Sequence, residues 1–257
     1  TSMTQTFLSR ILAEKAKEVE TMATEELQPL RDTYKLYDYL KSHPKQLQVI
    51  AEVKKASPSF GDINLDVAID QQAKCYQENG AAMISVLTDP HFFKGSIEDL
   101  RQVSSQVRIP TLAKDFIIDE KQIIRSRNAG ATVILLIAAA LPEQRLKALY
   151  DFATQLGLEV LVETHHLAEL EIAHRIGVKI IGINNHNLQT FETDVHTSLA
   201  LSEHFQEKPV YISESAILTK TDAALVAPFF NGILVGRALM QAENVAEKVK
   251  ELQIDKG

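Results

Sequence analysis

Eight short apolar segments, each followed by a stretch with helical character, constrain the fold of this chain more than any other feature. Such segments, rich in aliphatic and β-branched residues and without strict polar alternation, are typical of parallel strands buried on both faces. Eight strand–helix units close a barrel, so the pattern predicts an α/β fold, a single (β/α)8 TIM barrel. The segments cover residues 48–54, 81–88, 109–115, 131–138, 158–164, 178–184, 209–215 and 232–237.

The stretches between these segments carry the signals of helices. Gly80, Gly130 and Gly157 each follow a helical stretch, at the position where glycine often ends a helix, and Pro142 stands near the first turn of another. No sequence motif is repeated from one unit to the next. The repetition is therefore one of architecture only.

Residues 1–47 precede the alternating pattern and contain two helical candidates, TFLSRILAEKAKEVETM (6–22) and YKLYDYLKS (34–42). We expect residues 1–47 to form an N-terminal helical extension within the same domain, and residues 48–257 to form the barrel. The extension could cap the bottom of the barrel, cover its mouth or serve an oligomer interface. The sequence leaves these three possibilities open.

The charge balance and the apolar runs argue against several kinds of partner. The formal net charge is −7, and Lys and Arg are dispersed without the basic stripe that binds a phosphate backbone. The longest apolar run, residues 131–141, is about half as long as a membrane-spanning helix and is interpreted as a core strand. The pattern of a secretory signal is missing. We expect no nucleic-acid or membrane partner, and a cytoplasmic location.

The sequence offers no pattern for a metal or a nucleotide cofactor. His165 and His166 are adjacent, so their side chains diverge, and no H-x-H or H-E-x-x-H spacing occurs. The single cysteine, Cys75, allows neither an internal disulfide nor a cysteine-based metal site. No G-x-G-x-x-G or P-loop motif is present. We expect neither a metal nor a cofactor.

Polar and ionisable side chains stand at the ends of most predicted strands, where a TIM barrel places its active site. Any one of them can be a solvated loop residue, because charged side chains are rarely buried. Together, two lysines and two carboxylates meeting over one barrel mouth would couple their pKa values and supply general acid and base in one pocket. The candidates are Glu52, Lys54, Lys114, Glu163, Asn184, Ser213, Glu214 and Ser215.

A phosphate site is expected next to this cluster. In many TIM barrels the loops after strands seven and eight, together with a short helix N-terminus, bind an anion. Here these loops read SESAIL and VGRALM. The candidate donors are the backbone N–H groups at Ser215, Ala216, Gly236 and Arg237.

Seven motifs, in order from the first predicted strand to the last, resemble those of the indole-3-glycerol phosphate synthase family. They fall at strand ends, which makes the joint resemblance far more specific than any single motif. The motifs are VIAEVKKASPS (49–59), LTDPHFFKGSIEDL (87–100), LAKDFIID (112–119), LLIAAAL (135–141), LVETH (161–165), IGINN (181–185) and SES (213–215).

The resemblance implies a (β/α)8 barrel with an N-terminal helical extension and a carboxy-lyase reaction of tryptophan biosynthesis that needs no cofactor. The small-molecule substrate would be 1-(2-carboxyphenylamino)-1-deoxyribulose 5-phosphate, which closes to indole-3-glycerol phosphate with loss of carbon dioxide and water. By motif, Lys114 would be the general acid of ring closure, and Glu163 and Lys54 together would supply the second acid and base, for dehydration. Glu52 and Asn184 would orient the lysines and the substrate hydroxyls.

The same resemblance implies binding roles for further residues. Ser57, Pro58 and Phe93 match the mobile loop and aromatic wall of the family, and Phe116 matches the apolar lining around the anthranilate ring. Ser215 matches the phosphate end and is also expected among the catalytic residues. The full set of expected substrate-binding residues is Ser57, Pro58, Phe93, Phe116, Leu135, His186 and Glu214.

Four positions depart from the pattern of the family. His186 stands where arginine is usual, Ala216 where glycine is usual, and Arg237 where glutamate or serine is common; Phe60 replaces a common lysine. His186 removes a fork-shaped cation that would bind the anthranilate carboxylate. A positive φ at Ala216 would cost about 1 kcal/mol. Arg237 would compensate through a direct phosphate contact.

Two alternatives to a synthase remain open at the level of sequence. One is a divergent barrel enzyme acting on a related sugar phosphate without the anthranilate carboxylate, since His186 would face that group unless it is an ordinary solvent-exposed loop residue. The other is a non-catalytic, phosphate-ligand-binding paralogue, which the set of paired acids and bases disfavours. We expect a monomer or weak homo-oligomer, with possible association with a pathway enzyme.

Overall fold

The computed structural model describes residues 6–257 as a closed barrel of eight parallel strands with helices outside it. Each strand pairs with the next along the chain, and the last pairs with the first, for example Ile50 with Leu234. The predicted TIM barrel is confirmed. The strands are β1 (Gln48–Val53), β2 (Met83–Leu87), β3 (Thr111–Lys114), β4 (Val133–Ile137), β5 (Glu159–Thr164), β6 (Ile180–Asn184), β7 (Val210–Glu214) and β8 (Gly232–Val235).

The helices fall into an N-terminal pair and a set that covers the barrel. A short hairpin, Ala56–Ser57 paired with Gly61–Asp62, lies in the loop after β1. Within residues 6–257, no helix is both long and apolar enough to cross a membrane. The helices are α1 (Phe7–Glu20), α2 (Leu36–Ser42), α3 (Ile69–Glu78), α4 (Ile97–Ser104), α5 (Glu120–Asn128), α6 (Glu143–Gln155), α7 (Leu167–Ile176), α8 (His196–Ser202), α9 (Lys220–Val226), α10 (Arg237–Met240) and α11 (Val245–Glu251), with a 3-10 turn at Ala138–Ala140.

The strands lack polar alternation because both of their faces are buried. One face fills the barrel interior, where Ile50, Leu112 and Leu161 belong to a single apolar cluster. The other face packs against the helices, where Ala113 and Val162 belong to a second cluster. Successive residues of a strand point to opposite faces, so the two clusters interleave along each strand. This arrangement leaves polar residues on the strands mainly at their ends.

Side-chain caps fix where several helices begin, and one of them also shapes the barrel mouth. Asp119 caps α5 in a capping box with Gln122. Gln122 also accepts a hydrogen bond from the N–H of Ile118 at 2.8 Å and donates to the carbonyl of Phe116 at 2.9 Å. The cap therefore holds the loop that carries Phe116, one of the expected substrate-binding residues, in a defined conformation.

The first helix of the extension covers the barrel mouth. Phe7, Leu8 and Ile11 of α1 line the cavity at the C-terminal ends of the strands. The ring of Phe7 contacts Phe92 at 5.7 Å between centroids and Phe191 at 5.3 Å, both in edge-to-face geometry. The aromatic contacts join α1 to the loops after β2 and β6.

The second helix of the extension closes the opposite end. Leu36 and Leu40 of α2 are fully buried in the apolar cluster of the barrel interior. The N–H groups of Leu36 and Tyr37 donate to the carboxylate of Glu159, at the start of β5, at 2.6 and 2.9 Å. The extension thus covers the mouth with α1 and caps the bottom with α2, so two of the three open possibilities apply together.

A buried lysine attaches α1 to the barrel. The Nζ of Lys15 lies 2.7 Å from Asp89, 2.8 Å from Asp115 and 2.8 Å from Glu18, and its side chain is 1% exposed. Asp89 and Asp115 follow β2 and β3, next to the expected site residues. We call these four residues the Lys15 cluster.

Candidate active site

A cavity opens at the C-terminal ends of the strands, where the site was expected. Its walls come from the strand ends, from the loops after β1, β2, β3, β6, β7 and β8, and from α1. Ser213 and Glu214 are the expected site residues that do not line it. The expected residues that line the cavity are Glu52, Lys54, Ser57, Pro58, Phe93, Lys114, Phe116, Leu135, Glu163, Asn184, His186, Ser215, Ala216, Gly236 and Arg237.

Glu52, fully buried near the end of β1, is the centre of a charge cluster at the base of this cavity. Its Oε2 accepts hydrogen bonds from Lys114 Nζ at 2.8 Å and Ser85 Oγ at 2.9 Å. Its Oε1 lies 3.3 Å from Lys54 Nζ. Gly236 makes room for the group, because a Cβ there would lie 3.0 Å from Glu52 Oε1. One carboxylate thus holds two lysines at the cavity surface.

The two lysines differ in protonation behaviour although they share a partner. Burial alone would lower the pKa of Lys114, but the carboxylates around it, Glu52 first, outweigh burial and raise it. Burial also lowers the pKa of Lys54, and there it prevails over the attraction of Glu52. For Glu52, the two lysines outweigh burial and hold the pKa below its usual range. Lys114 is therefore a stable cation at neutral pH, and Lys54 releases its proton more readily.

A second pair of carboxyl groups, Glu163 and Glu214, lies beside this cluster. Glu163 is 3% exposed and Glu214 is 1% exposed. Burial first, and then the charge of Glu163, raise the pKa of Glu214 well above its usual range. Neither carboxyl oxygen of Glu214 accepts a hydrogen bond from any group of the described chain. Two buried carboxyl groups whose charges act on each other are stable when one of them carries a proton.

The missing side chain at Gly182 leaves the space that the carboxyl group of Glu214 occupies, which explains why Glu214 does not reach the cavity wall. A Cβ at Gly182 would lie 2.1 Å from Glu214 Oε2, so the carboxyl group occupies the space that a side chain on β6 would fill. Glu214 therefore lies in the barrel interior below the cavity lining. The sequence indicated a substrate-binding residue here; the structure places it beneath the residues that line the cavity. The glycine inside the apolar run IIGIN is the signal that could have indicated this close approach.

Asn184, at the end of β6, connects two loops of the mouth. Its Oδ1 accepts hydrogen bonds from Ser215 Oγ at 2.8 Å and from the N–H of His186 at 3.0 Å. His186 is half-buried and lines the cavity, so the solvent-exposed interpretation of this residue is wrong. Burial first, and then the charge of Lys54, lower the pKa of His186. A neutral imidazole faces the cavity at neutral pH.

Asn185 is used within the protein rather than presented to the cavity. Its Nδ2 donates to Ser213 Oγ and to the carbonyl of Ser215, both at 3.0 Å. Its Oδ1 accepts from the N–H and the Oγ of Ser198 at 3.0 and 2.8 Å. Ser213, which the sequence also indicated, belongs to this buried network. Both residues support the loops that carry the site.

The expected phosphate end combines two unusual backbone features. Ser215 and Ala216 both have φ of 66°, in the left-handed region that disfavours side chains with a Cβ. The positive φ considered for Ala216 is thus present. Gly236 precedes α10, whose first N–H groups have no partner within the helix. Residues of both loops, Ser215, Ala216, Gly236 and Arg237, line the cavity.

Two of the residues that depart from the family pattern contact each other. The guanidinium carbon of Arg237 lies 4.1 Å from the centroid of the Phe60 ring. Phe60 belongs to the hairpin loop after β1, and Arg237 opens α10. A cation–π contact of this kind joins the loop after β1 to the expected phosphate end of the cavity.

The opposite end of the cavity is apolar. Phe93 and Phe116 face each other with ring centroids 5.9 Å apart, and Leu135 and Ile137 of β4 continue the surface. The apolar residues that α1 contributes were not expected as site residues. The signal was present, because Phe7 and Ile11 lie on one apolar face of the predicted first helix, but nothing in the sequence indicated what that face covers.

Comparisons with known proteins agree with this geometry. A family model described as indole-3-glycerol phosphate synthase matches residues 8–252. An indole-3-glycerol phosphate synthase from Streptococcus thermophilus (strain CNRZ 1066) is 74% identical over 255 residues, which cover 99% of this chain and 100% of that protein. One from Streptococcus pneumoniae (strain Hungary19A-6) is 70% identical over 255 residues, with the same coverage.

Solved structures with low sequence identity share the barrel. A 3-hexulose-6-phosphate synthase aligns with a TM-score of 0.65 and 13% identity, over 80% of this chain and 98% of that one. A thiamine phosphate pyrophosphorylase from Pyrococcus furiosus aligns with a TM-score of 0.59 and 17% identity, over 80% and 93%. At such identities the likeness concerns the fold alone. The matches that extend over nearly the whole sequence decide the family: the chain belongs to the indole-3-glycerol phosphate synthase family.

Proposed function

We propose that the cavity binds 1-(2-carboxyphenylamino)-1-deoxyribulose 5-phosphate and converts it to indole-3-glycerol phosphate, carbon dioxide and water. The chain is an indole-3-glycerol phosphate synthase, a carboxy-lyase of tryptophan biosynthesis, in line with relatives at 70% and 74% identity over its full length. The assignment of individual residues to steps rests on the geometry of the cavity. Apolar residues line one part of the cavity, the charge cluster lies at its base, and the loops after β7 and β8, with the backbone N–H groups expected to bind phosphate, complete its wall.

Ring closure requires an acid next to the ribulose carbonyl, and Lys114 fits this role. The ring carbon that bears the carboxylate attacks the carbonyl carbon, and the carbonyl oxygen takes a proton from Lys114 and becomes a hydroxyl group. Lys114 remains charged at neutral pH because the surrounding carboxylates raise its pKa. Glu52 holds its Nζ at 2.8 Å from one side, so its other N–H bonds are free to face the substrate.

Decarboxylation and dehydration complete the reaction. Loss of carbon dioxide returns the electron pair of the broken carbon–carbon bond to the ring and restores its aromaticity. Glu163 then takes a proton from the carbon attached to nitrogen, and Lys54 gives a proton to the departing hydroxyl group, so that the new double bond forms as water leaves. The lowered pKa of Lys54 makes it the better donor of the two lysines at this step.

The two ends of the cavity suit the two ends of this substrate. Phe93 and Phe116 provide an apolar slot for the anthranilate ring. The N–H groups at Ser215, Ala216 and Gly236, with the guanidinium of Arg237, provide an anion site for the phosphate. His186 lies beside the charge cluster with a free ring nitrogen and would bind the anthranilate carboxylate as a hydrogen-bond donor.

The observation that carries the proposal is the single carboxylate of Glu52 holding both Lys114 and Lys54 at the cavity surface. Binding a phosphate ligand does not require such a paired arrangement, which speaks against a non-catalytic paralogue. A substrate without the anthranilate carboxylate is not favoured by any contact in the cavity, since His186 still presents a polar nitrogen to that region.

The test is turnover of the purified protein with 1-(2-carboxyphenylamino)-1-deoxyribulose 5-phosphate, followed by the appearance of indole fluorescence. Product formation that scales with enzyme concentration is expected. A matched control is Lys147→Ala, which removes a lysine that is 58% exposed on α6 and should leave the rate unchanged. No product at high enzyme concentration would overturn the proposed function.

A further inference from the structure

A buried histidine outside the cavity wall lies between two carboxylates, one of which belongs to the site. His165 follows β5, and its side chain is 12% exposed. Its Nε2 is 3.4 Å from Oε2 of Glu163, and its Nδ1 is 3.2 Å from Oε1 of Glu169. His165 is not among the cavity-lining residues, and Glu163 is the cavity-lining carboxylate that it contacts.

Glu169 fixes the orientation of this imidazole. It lies in the first turn of α7 and accepts a hydrogen bond from the N–H of His165 at 2.7 Å with the same oxygen that faces Nδ1. Its other oxygen lies 3.2 Å from Nε2 of His166, whose side chain is 62% exposed. The carboxylate is thus held at both oxygens, and Nε2 of His165 lies 3.4 Å from Oε2 of Glu163 without a hydrogen bond to any group of the described chain.

An imidazole in this position is stable in a restricted set of protonation states. A neutral ring with its proton on Nδ1 would point a lone pair at Glu163, and only the imidazolium can donate to both carboxylates. Burial alone would lower the pKa of His165, but Glu169 and Glu163 outweigh burial and raise it. Of the other charged groups nearby, His186 has its own pKa lowered by this histidine, and His166 is largely in solvent.

The consequence concerns the pair formed by Glu163 and Glu214. Two buried carboxyl groups that share a site ionise one at a time, and neighbouring charge decides which one ionises first. Lys114 attracts both carboxylates, but the cation of His165 lies on the side of Glu163, and Glu214 accepts no hydrogen bond from the residues that the structure describes. The asymmetry favours a carboxylate at Glu163 and a neutral carboxylic acid at Glu214.

We propose that His165, oriented by Glu169, is a positioning residue that makes Glu163 rather than Glu214 the ionised member of the carboxyl pair and thereby keeps it available as a base. The chemical use of that base rests on the proposed function, in which Glu163 accepts a proton during dehydration. The choice of the ionised carboxyl group does not depend on turnover.

The kinetic test is the pH dependence of kcat for the intact protein and for His165→Gln, which keeps a neutral N–H donor toward Glu163 but no charge. We expect the acid limb of the profile to move to higher pH by about one unit, because a nearby cation is lost. Activity should return toward the normal value at high pH, with KM nearly unchanged. A loss of activity that is uniform across pH, or an acid limb that does not move, would contradict the proposal.

The matched control is His166→Gln. His166 is the neighbouring residue and contacts the same Glu169, but it is exposed and does not face Glu163. Its profile should overlay that of the intact protein. An equal shift of the acid limb in both variants would assign the effect to Glu169 alone and count against His165.

A second measurement needs no turnover and separates this proposal from the proposed function. The ring nitrogens of His165 can be observed by NMR in protein labelled with 15N-histidine and assigned by the signals lost in His165→Gln. We expect an imidazolium at pH 7, where an unperturbed histidine with a pKa of about 6.5 is mostly neutral. A neutral ring at pH 7 would overturn the role of His165 even if the enzyme is active.

An inactive protein with a charged His165 would overturn the proposed function and leave the choice of the ionised carboxyl group supported. In that case 13C-labelled glutamate resolves the choice directly. At pH 7 the signal of Glu214 should be that of a neutral acid and the signal of Glu163 that of a carboxylate, each assigned by its Gln variant. A carboxylate at Glu214 and a neutral acid at Glu163 would remove the proposal.

Discussion

Two clusters of buried charge lie close together in this protein, and they are built in opposite ways. In the Lys15 cluster the ammonium group has three carboxylates within 2.8 Å, and its side chain is 1% exposed. The second cluster, which we call the cavity cluster, consists of Glu52, Lys54 and Lys114 at the base of the cavity. There Lys114 has one carboxylate at 2.8 Å and is 17% exposed. An ammonium group with three carboxylate partners has no N–H left for another ligand, so it can only stabilise the structure. An ammonium group with one carboxylate partner that faces a cavity still has N–H groups that can act on a substrate.

The end of β3 serves both clusters with adjacent residues. Lys114 points into the barrel and contacts Glu52, whereas Asp115 contacts Lys15 and accepts a hydrogen bond from Thr88 Oγ1 at 2.7 Å. Asp115 also accepts from the N–H of Phe116 at 2.7 Å, next to the aromatic wall. The Lys15 cluster therefore fixes the backbone that carries Lys114 of the cavity cluster.

Removing each lysine in turn tests the difference between the two clusters, and Lys114→Ala should have the largest effect. Loss of the general acid is expected to lower kcat by about 10³-fold or more. The fold should persist, because Glu52 keeps its contacts with Lys54 and Ser85 and the vacated space opens to the cavity. Indole fluorescence measures the rate, and circular dichroism the fold. Near-normal turnover would remove Lys114 from the acid role.

The reciprocal change is Lys15→Met, which keeps the length of the side chain but leaves Asp89 and Asp115 buried without their cation. Removing one partner from a buried ion pair costs about 3–5 kcal/mol. For a chain of this size, that loss of unfolding free energy corresponds to a decrease in Tm of about 10 °C. Well below the transition, kcat should fall by less than about tenfold.

The control for Lys15→Met is Lys17→Met on the same helix, where the lysine side chain is 74% exposed and its partner Glu14 is 43% exposed. Its Tm should be unchanged, because exposed ion pairs contribute little. Two outcomes would remove the distinction between the clusters: an unchanged Tm for Lys15→Met, or a loss of kcat as large as that of Lys114→Ala.

A substitution at Gly182 tests how tightly the carboxyl group of Glu214 is packed in the barrel interior. Gly182→Ala would place a methyl group 2.1 Å from Glu214 Oε2, so the carboxyl group or the strand must shift. Overpacking of this kind costs about 1–3 kcal/mol of unfolding free energy, measured by denaturant titration. The double variant Gly182→Ala with Glu214→Ala removes the atom that clashes and should recover part of the loss. Failure to recover would show that Gly182 is needed for another reason.

Much of the fold was predictable because it depends on local pattern. The run at 131–138 contains β4, and the run at 178–184 contains β6, since uninterrupted apolar stretches of this length fit a strand buried on both faces. The runs begin about two residues early because residues such as Ala81 and Ala82 are already buried as they approach the strand. The apolar runs therefore mark the residues that are buried rather than the residues that pair with a neighbouring strand.

The candidate site was predictable where a side chain ends a strand. Lys114 and Asn184 could be placed at the barrel mouth without any knowledge of their contacts, since the topology places every strand end there. Glu214 shows the limit of this reasoning, because its depth depends on the space left by Gly182 on the neighbouring strand.

The Lys15 cluster could not be found from the sequence. Lys15 belongs to a charged stretch of α1 that reads as an exposed face, and Asp89 and Asp115 read as loop residues. Glu18 is three positions away, but Asp89 is 74 positions away and Asp115 is farther still, and nothing local marks the lysine as buried. The contact between His165 and Glu163 could not be found from the sequence either. The two residues lie two positions apart in one motif, but the orientation of His165 depends on where α7 begins.

The smallest expected effect concerns His186, at the edge of the cavity cluster, whose Nε2 has no hydrogen-bond partner in the part of the chain that the structure describes. His186→Arg would supply a permanent cation and two parallel donors for the anthranilate carboxylate. We expect KM to fall several-fold at pH 7.5, a gain of about 1 kcal/mol, with kcat nearly constant. His196→Arg, at a side chain 74% exposed at the start of α8, is the matched control.

The pH dependence of KM separates this role of His186 from a general effect of added charge. Because burial and Lys54 lower the pKa of His186, its ring gains a proton only below the usual histidine range, and the KM of the unmodified protein should fall as the pH falls below that range. In His186→Arg the cation is present at every pH, so this trend should disappear. An analogue that lacks the carboxylate should bind both proteins equally. If the variant tightens that analogue as well, or if KM is unchanged, the position does not contact the carboxylate, and the free nitrogen of His186 serves the cavity in another way.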